Sequence, residues 1–387
     1  DNRIDGCGGW GDAATIVPWE MYEAYGDIRI LKKCYDMMKK WVEYQNSTDR
    51  RNYGVRTVDG KEVPEQSDLA TIPYIQVQQC RGDHLTYDNS TPYIYSATAY
   101  AAHSADILRR TAYILGKTDD KKRYTELFEN IKRAFNDAWV NDDGSVSYYG
   151  EVSSQTAHCG ESVALDGSVT RYTYYAENTP HCPSQTAYAL AVDFDLIPKD
   201  KLKNTREYFK NSILRNNGKL TVGFLGISHL APALSKVGLD DVAFKLLEQE
   251  DNPSWLYSVK NGATTIWERW NSYIAETGTF GDVSMNSFNH YSYGAIGQWF
   301  FTDILGIRPV EFGYKSFMLA PKVGGGLTYA KGSFTSPYGK ISSAWKLHDG
   351  KFTYDCTVPT NTTATLKLPN GDIHTLVGGS YHFEINV

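Results

Sequence analysis

The pattern of apolar and polar residues changes once along the chain, near residue 309. Before that point apolar residues recur every three or four positions, which is typical of amphipathic helices. After it apolar and polar residues alternate, which is typical of strands that bury one face. The sequence therefore predicts a mainly helical domain over 1–308 and a small β domain over 309–387.

Segment 27–44 shows the helical pattern most clearly, because its apolar residues fall on one stripe. That stripe consists of Leu31, Cys34, Tyr35, Met38, Trp41 and Val42. A shorter helix over 13–25 precedes it, with Gly26 placed to end the first helix and Asp27 to cap the second.

Glycine also ends other predicted helices, and the next helix again begins within a few residues. The sequence predicts nine helices in all, mostly in hairpins joined by two to four residues. The further helices are predicted at 94–115, from Thr118-Asp119 onward, at 183–195, 199–214 and 227–237, from Asp240 onward, and at 288–305. Such hairpins either stack as a solenoid or close into a ring. The absence of a fixed repeat length argues against the solenoid.

The connections between hairpins, 46–93, 140–181 and 251–287, are far longer than the usual median of about five residues. Loops of that length are usually functional. In a ring of helix pairs we expect them to gather at one mouth and form a cleft.

The C-terminal segments mix β-branched and aromatic residues between hairpin turn signals, Asp349-Gly350 and Asn370-Gly371. This pattern predicts a small antiparallel β-sandwich. Its strands are expected at 340–347, 351–358, 363–368 and 380–387.

Charge and composition narrow the choice of partners. With 39 Lys and Arg against 45 Asp and Glu, the net charge is −6, and no basic block occurs. That argues against nucleic acid or an anionic membrane as partner. No apolar run of about 18 residues is present, so no membrane insertion is expected. The 9 Trp, 28 Tyr and 15 Phe are compatible with carbohydrate binding and equally with a dense core. The compartment stays open.

Metal, redox and nucleophile motifs are missing from the sequence. The six cysteines form no CxxC pair, so small buried side chains are favoured over a disulfide framework. No His, Cys and Asp set has metal-ligand spacing, and neither GxSxG nor a Cys–His pattern occurs. We predict no metal and no cofactor. The remaining chemistry requires carboxylates, which points to glycoside hydrolysis or a related sugar reaction.

The densest candidate is segment 262–270, where Glu268 lies between Trp267 and Trp270 and beside Arg269. Desolvation and a nearby cation are what tune a catalytic carboxylate. Indole faces can also stack on the C–H face of a sugar. A surface Glu–Arg pair flanked by core tryptophans is an equally good interpretation.

Two further candidates lie near the N-terminus and near residue 290. In segment 8–12, Asp12 either caps the first helix, which is slightly favoured, or binds a ligand together with Trp10. His290 lies at the predicted start of the last helix, where a structural role is favoured. It also follows Glu268 by 22 residues, so a loop could return it to the same mouth.

A weaker candidate is segment 81–84, which contains Asp83 and His84; its alternative is a simple turn.

Taken together, these motifs resemble the bacterial α-L-rhamnosidase family of glycoside hydrolases. The resemblance is carried by Gly-Trp-Gly-Asp-Ala at 9–13, Ala-Thr-Thr-Ile-Trp-Glu-Arg-Trp at 263–270 and Ser-Phe-Asn-His-Tyr at 287–291. Further matches are Val17-Pro18-Trp19, Tyr25-Gly26-Asp27, Gly313-Tyr314-Lys315 and Pro321. The motifs are ordered and spaced as in that family through essentially the whole chain.

The resemblance implies an (α/α)6 barrel followed by a β-sandwich, and inverting hydrolysis of terminal α-L-rhamnosides. It gives Glu268 the role of general base. It also places His290, Trp10 and Asp12 at the sugar, with Asp83 as a nearby loop aspartate.

Several departures from the family pattern also matter. The family's general acid precedes the Gly-Trp-Gly-Asp stretch, so we expect it upstream of this chain. The helix count agrees with this expectation, because the sequence predicts nine helices and the family's barrel has twelve. The family usually has Trp where this chain has His84, so one stacking wall is expected to differ. Segment 153–180 is also atypical.

The leading hypothesis is a partial (α/α)6 barrel with its β-sandwich, acting on a rhamnose-containing glycan or glycoside. The alternatives are a non-catalytic sugar-binding fragment and a helical-toroid glycosidase of other specificity. A partial barrel would expose apolar faces, so we also expect self-association or low stability.

Overall fold

The computed structural model describes residues 6–47, 73–76, 82–87, 91–147 and 183–387, and the backbone of strands 55–58, 61–64, 158–163 and 169–174. The chain forms two compact units. One contains Asp1–Thr15 and Met37–Gly294, and the other contains Ile16–Asp36 and Ala295–Val387. The predicted domain boundary at residue 308 stays a prediction.

Eight helices of the described residues form consecutive hairpins, as the sequence predicts. They are α1 (Ala13–Tyr25), α2 (Ile28–Gln45), α3 (Tyr93–Ile114), α4 (Thr118–Trp139), α5 (Gln185–Asp193), α6 (Leu202–Leu214), α7 (Phe224–Lys236) and α8 (Asp240–Leu247). A short helix, α9 (Trp255–Lys260), lies where the sequence predicts only a loop. It is stabilised at its start by Ser254, whose hydroxyl accepts a hydrogen bond from the Tyr257 amide.

The last predicted helix, 288–305, begins later and is irregular. A 3-10 turn (Ser292–Ala295) leads into α10 (Ile296–Trp299) and a π-helical turn (Phe300–Ile304). His290 therefore lies in the loop before this helical segment rather than at its first turn.

Burial separates inner helices from outer ones within the larger unit. Every residue from Gln185 to Val192 of α5 is buried, and α3 is buried over most of its circumference. Helix α4 instead buries one stripe, which includes Tyr124, Phe128, Ile131 and Phe135. An all-round apolar helix belongs inside and an amphipathic one outside. Helix α3 packs against α4 and α5, and α5 packs against α6 and α7. This two-layer arrangement agrees with the predicted barrel of hairpins.

The predicted glycine helix ends are confirmed. Gly116 and Gly238 have positive φ angles of 69° and 74°, which favours glycine. After Gly116 the Lys117 amide donates to the Ala112 carbonyl at 2.8 Å, and this closes the last turn of α3. Asp27 accepts a hydrogen bond from the Arg29 amide at 3.0 Å, so it caps α2 as predicted.

The strands of the described residues form three two-stranded hairpins and one larger sheet. The hairpins are β1 (Val55–Val58) with β2 (Lys61–Pro64), β3 (His158–Val163) with β4 (Val169–Tyr174), and β5 (Tyr273–Ile274) with β6 (Thr279–Phe280). The larger sheet contains β7 (Ile307–Pro309), β8 (Ser316–Leu319), β9 (Tyr329–Ser336), β10 (Gly339–His348), β11 (Lys351–Lys367) and β12 (Ile373–Asn386), in the order β7-β8-β11-β10-β9 with β12 paired to β11.

The β domain contains the predicted strands but differs from the prediction in several ways. Strands β7, β8 and β9 have no predicted counterpart, and β12 begins at Ile373 rather than at 380. The predicted strands 351–358 and 363–368 are one long strand, β11, with a register irregularity between Val358 and Thr363. Strand β8 runs parallel to β11, so the sheet is not purely antiparallel. The turn at Asp349-Gly350 has positive φ at both residues, 48° and 74°, as a type I′ hairpin requires.

Cys7, Cys34 and Cys356 are free thiols, whereas the side chains of Cys80, Cys159 and Cys182 lie outside the described part of the structure. Burial raises the pKa of the Cys356 thiol to about 12, so it is an inert core side chain. No described helix combines the length and the apolar character needed to cross a membrane.

Candidate active site

Three separate parts of the larger unit meet at the start of α7. The Phe224 amide donates to the His84 carbonyl at 2.9 Å, which joins segment 82–87 to the first turn of α7. The Tyr293 hydroxyl donates to the Leu85 carbonyl at 3.1 Å. The Tyr87 hydroxyl also donates to Asn252 Oδ1 at 3.1 Å. Residues of two predicted long connections, 46–93 and 251–287, are therefore in contact here, as expected of loops that form a cleft. The third, 140–181, lies mostly outside the described residues, and so does most of the atypical segment 153–180.

Glu268 is half-buried and paired with Ser287 in both directions. Its amide donates to the Ser287 carbonyl at 2.9 Å, and its carboxylate Oε2 accepts from the Ser287 amide at 2.7 Å. A further main-chain hydrogen bond joins the His290 amide to the Ile266 carbonyl at 2.8 Å. These bonds bring the Glu268 and His290 segments side by side.

The two tryptophans beside Glu268 are core residues. Trp267 is 7% exposed and packs edge-on against Phe288. Trp270 is 2% exposed, stacks on Tyr293 at 3.8 Å between ring centroids, and donates its indole N–H to the Val222 carbonyl at 2.9 Å. Their burial fits the interpretation of core tryptophans that flank a more exposed carboxylate.

Arg269 does not form the predicted pair with Glu268. Its Nη1 lies 3.9 Å from Asp282 Oδ2, and its Nε donates to Asn271 Oδ1 at 3.4 Å. The Glu–Arg pair proposed from adjacency in sequence is therefore wrong, because neighbouring residues in this loop direct their side chains to different partners.

His290 lies within a row of stacked rings. Its imidazole stacks on Phe224 at 4.9 Å and on Tyr291 at 5.3 Å between centroids. Its Nδ1 accepts a hydrogen bond from the Ser292 amide at 3.3 Å. A neutral imidazole that accepts at Nδ1 carries its proton on Nε2. His290 can therefore offer an N–H donor to a ligand.

Trp10 and His84 extend the same row. Their rings meet edge-on at 6.3 Å, and His84 meets Phe224 at 5.5 Å. Trp10, His84, Phe224 and His290 are all half-buried, so this ring wall keeps part of its surface open.

Asp83 is 5% exposed and binds the start of α7. Its carboxylate accepts hydrogen bonds from the amides of Gly223 at 2.7 Å, Leu225 at 2.8 Å and Gly226 at 3.0 Å, and from the Thr186 hydroxyl. The side chain is thus a helix cap supplied by a distant loop. Segment 82–84 is a turn as well, with the His84 amide donating to the Gly82 carbonyl; Arg81 lies outside the described residues.

Asp12 is fully buried and does not cap α1 with its side chain. Its carboxylate accepts from the Gly9 amide at 2.7 Å, Trp41 Nε1 at 2.9 Å, Gln45 Nε2 at 3.0 Å and the Ser104 hydroxyl at 2.5 Å. The predicted cap is wrong because the carboxylate points back to Gly9 and across to α2 and α3. The predicted contact of Asp12 with sugar stays a prediction.

Burial of both aspartates raises their pKa, while their hydrogen bonds lower it. Burial also raises the pKa of Tyr293 well above 10, and the nearby charges of Asp83 and Glu268 raise it further. Tyr293 is therefore a neutral donor that lies within electrostatic reach of both carboxylates. The described residues contain no group of three or more His, Cys, Asp or Glu side chains that could hold a metal ion.

Comparison with known proteins assigns this arrangement to a family. Residues 2–304 match the bacterial alpha-L-rhamnosidase 6 hairpin glycosidase domain, and residues 306–383 match the bacterial alpha-L-rhamnosidase C-terminal domain. The chain belongs to the bacterial α-L-rhamnosidase family. The resemblance predicted from its motifs is confirmed.

Among curated relatives, an α-L-rhamnosidase of Formosa agariphila is 34% identical over 370 residues, which are 95% of this chain and 34% of that protein. An α-L-rhamnosidase of Streptomyces avermitilis is 35% identical over 369 residues, which are 95% of this chain and 30% of that protein. The chain thus spans about a third of the length of these relatives.

Solved α-L-rhamnosidase structures have the same fold. The Streptomyces avermitilis enzyme complexed with L-rhamnose superposes with a TM-score of 0.80 at 32% identity, covering 98% of this chain and 33% of that one. The native Aspergillus terreus enzyme superposes with a TM-score of 0.76 at 28% identity, and the match covers 97% of this chain and 39% of that one. The predicted helical toroid with a C-terminal β domain is confirmed.

Phe224 is a residue of this α-L-rhamnosidase-family site that sequence reasoning missed. It contacts His84, His290 and Tyr293. The sequence predicts that this helix begins at 227, which leaves Phe224 in a loop. The helix in fact begins three residues earlier because Gly223 is capped by Asp83, a long-range contact that local periodicity cannot reveal.

Proposed function

We propose that the polypeptide carrying this chain hydrolyses terminal α-L-rhamnosides with inversion, and that Glu268 is the general base. The observation that carries this proposal is the state of the Glu268 carboxylate. It is half-buried, one oxygen is held by a main-chain amide, and it lies beside the His290 segment. A carboxylate so held, with an oxygen left over, is suited to deprotonate a water molecule.

Inversion requires a second carboxyl group about 6.5–9.5 Å from the base. Asp12 and Asp83 are poor candidates because each already accepts four hydrogen bonds. We propose instead that the general acid comes from outside these 387 residues, where the family resemblance expects it.

For the sugar itself we propose the ring wall as the binding surface. Trp10, His84 and His290 keep part of their surface open, and aromatic faces pack well on the C–H face of a sugar. Trp267 and Trp270 are nearly buried, so we propose that they stabilise the ring wall by packing in the core and do not contact the sugar. Asp12 and Asp83 would act through their neighbours, by fixing Trp10 and His84.

The test is Glu268→Gln in the polypeptide that carries this chain, assayed with an aryl α-L-rhamnoside. Loss of a general base lowers kcat by about 10²–10⁴-fold. Glu276→Gln is the matched control, since Glu276 is exposed in the same loop and lies outside the proposed site. Turnover of Glu268→Gln close to that of the control would contradict the assignment.

A second candidate function is sugar binding without cleavage by these 387 residues alone. It is motivated by the ring wall and by the fact that, of Asp12, Asp83 and Glu268, only Glu268 keeps an oxygen that accepts no hydrogen bond from the described residues. Calorimetry with L-rhamnose tests it, and the absence of heat at about millimolar sugar, near the weak end of specific binding, would exclude it. A third, another sugar specificity, is tested by a panel of aryl glycosides.

We also propose that the chain self-associates through α1. Val17, Met21 and Tyr25 lie four residues apart on one side of this helix and are 52%, 43% and 57% exposed. An apolar stripe of this kind usually packs against a partner. Sedimentation of wild type and Val17→Lys should show a monomer fraction that is larger in the variant; equal fractions would contradict the proposal.

A further inference from the structure

The Glu268 side chain is held by a peptide group rather than by another side chain. Its Oε2 accepts the Ser287 amide at 2.7 Å, which is short for a bond from a backbone N–H. Within the described part of the chain, this is the hydrogen bond that the carboxylate makes, and Oε1 accepts none.

The Ser287 peptide is itself fixed from two directions. Its carbonyl accepts the Glu268 amide at 2.9 Å. The preceding residue, Asn286, donates its side-chain N–H to the Ser272 carbonyl at 2.9 Å. Ser272 is fully buried, and its hydroxyl accepts the Arg269 amide at 3.2 Å. The donor is thus held by the same loop that carries the glutamate.

A charge-assisted bond from a fixed donor selects one side-chain rotamer of a flexible glutamate. It also divides the work of the two oxygens, because Oε2 is engaged and Oε1 remains to accept a proton from water. Catalytic groups need this degree of orientation, since a displacement of about 1 Å can lower a rate by about 10²-fold.

We propose that the main-chain N–H of Ser287 is the positioning group for the general base. This inference rests on the proposed function, because it assigns a partner to Glu268 in that role. Ser287 acts through Glu268 and does not touch substrate. The Ser287 side chain has a separate local task, since its hydroxyl accepts the Asn289 amide at 3.1 Å.

The first test measures the bond without any assay of activity. Amide hydrogen exchange at Ser287 is followed by NMR in the 387-residue chain. We expect exchange about tenfold or more faster in Glu268→Ala than in wild type, because the acceptor is gone. Glu268→Gln should retain slow exchange, because its side-chain carbonyl can accept the same bond. Equal exchange in wild type and Glu268→Ala would overturn the proposal.

The second test removes one donor from the active polypeptide. The amide N–H at position 287 is replaced by an ester oxygen using an α-hydroxy acid with an alanine side chain, and the product is compared with Ser287→Ala, which differs from it only at that atom. We expect kcat to be about 10–10²-fold lower in the ester, with KM changed by less than about threefold, since positioning of the base affects the chemical step.

A matched ester at Val283 controls for the chemistry of the replacement. Val283 is 85% exposed in the same loop, and its amide makes no hydrogen bond to another described residue. Equal kcat for the 287 ester and Ser287→Ala would overturn the positioning role, even when Glu268→Gln has lost activity. Full activity of Glu268→Gln would instead overturn the proposed function, so the two failures are distinguishable.

Discussion

The carboxylates of Asp12 and Asp83 differ from that of Glu268 in burial and in the number of hydrogen bonds they accept. Asp12 and Asp83 are buried, and each accepts four hydrogen bonds. Glu268 is half-buried and accepts one, from Ser287. Both oxygens of the first two carboxylates accept hydrogen bonds from the fold, whereas Oε1 of the third accepts none from the described residues.

The number of hydrogen-bond donors around a carboxylate distinguishes a structural carboxylate from a catalytic one. Burying a charged group without partners costs several kcal/mol, so a buried aspartate needs a full set of donors. Once that set is complete, no oxygen remains to activate water. Burial alone would make Asp12 the first candidate for a catalytic carboxylate. The number of hydrogen-bond donors instead makes Glu268 the first candidate.

Among variants that test this distinction, Asp12→Ala is expected to have the largest effect on stability. The change leaves the indole N–H of Trp41, the amide of Gln45 and the hydroxyl of Ser104 without their acceptor. Each buried donor left unpaired costs about 1–3 kcal/mol, so we expect the free energy of unfolding to fall by about 3–5 kcal/mol. Urea denaturation of the 387-residue chain measures it.

Glu268→Ala provides the contrast in the same experiment. Because Glu268 makes a single bond in a partly exposed loop, its loss should change the unfolding free energy by less than about 1 kcal/mol. A comparable loss for both variants would remove the distinction between the two kinds of carboxylate.

A smaller effect is expected from Asp83→Ala, because α7 begins at the half-buried Phe224 and water can replace part of the cap. Loss of a helix cap costs about 0.5–2 kcal/mol, and we expect a value near the upper limit. Amide exchange at Leu225 and Gly226, whose N–H groups bond to Asp83, should accelerate together. Asp83→Asn keeps one acceptor oxygen and should show the smaller change. Unaltered exchange at both amides would show that the cap is dispensable.

Most of the fold could be predicted from the sequence because it depends on local patterns. The stripe in 27–44, the glycines at helix ends and the turn at Asp349-Gly350 each act through neighbouring residues. What was missed depends on distant partners. Strand β8 has four residues and pairs in parallel with the far end of β11. The start of α7 at Phe224 depends on Asp83, 141 positions earlier in the sequence.

The site shows the same limit. Sequence motifs selected Glu268 and His290 and suggested that a loop could bring them together, and the main-chain bonds between 266–268 and 287–290 agree. The motifs could not show that Arg269 turns to Asp282, or that Trp267 and Trp270 are buried. Side-chain direction in an irregular loop has no period, so residue type and spacing do not determine it.

The smallest expected effect concerns the pH dependence of the stability that Asp12 provides. Desolvation raises the pKa of Asp12 above 3.8, although bonds from Ser104, Trp41, Gly9 and Gln45 oppose the rise. An acid whose pKa is raised on folding binds more protons in the folded state than in the unfolded state between the two pKa values. The free energy of unfolding therefore falls as pH rises through that interval.

Asp12→Asn isolates this contribution, since asparagine has the same shape and does not titrate in this range. Urea denaturation of wild type and Asp12→Asn at several values between about pH 4 and pH 8 gives the stability difference at each pH. We expect the advantage of wild type to be greatest at the acidic end and to shrink as pH rises. An advantage that grows with pH would mean that the four donors stabilise the ionised carboxylate more than burial disfavours it, and that Asp12 is held as an anion like a conventional helix-capping aspartate.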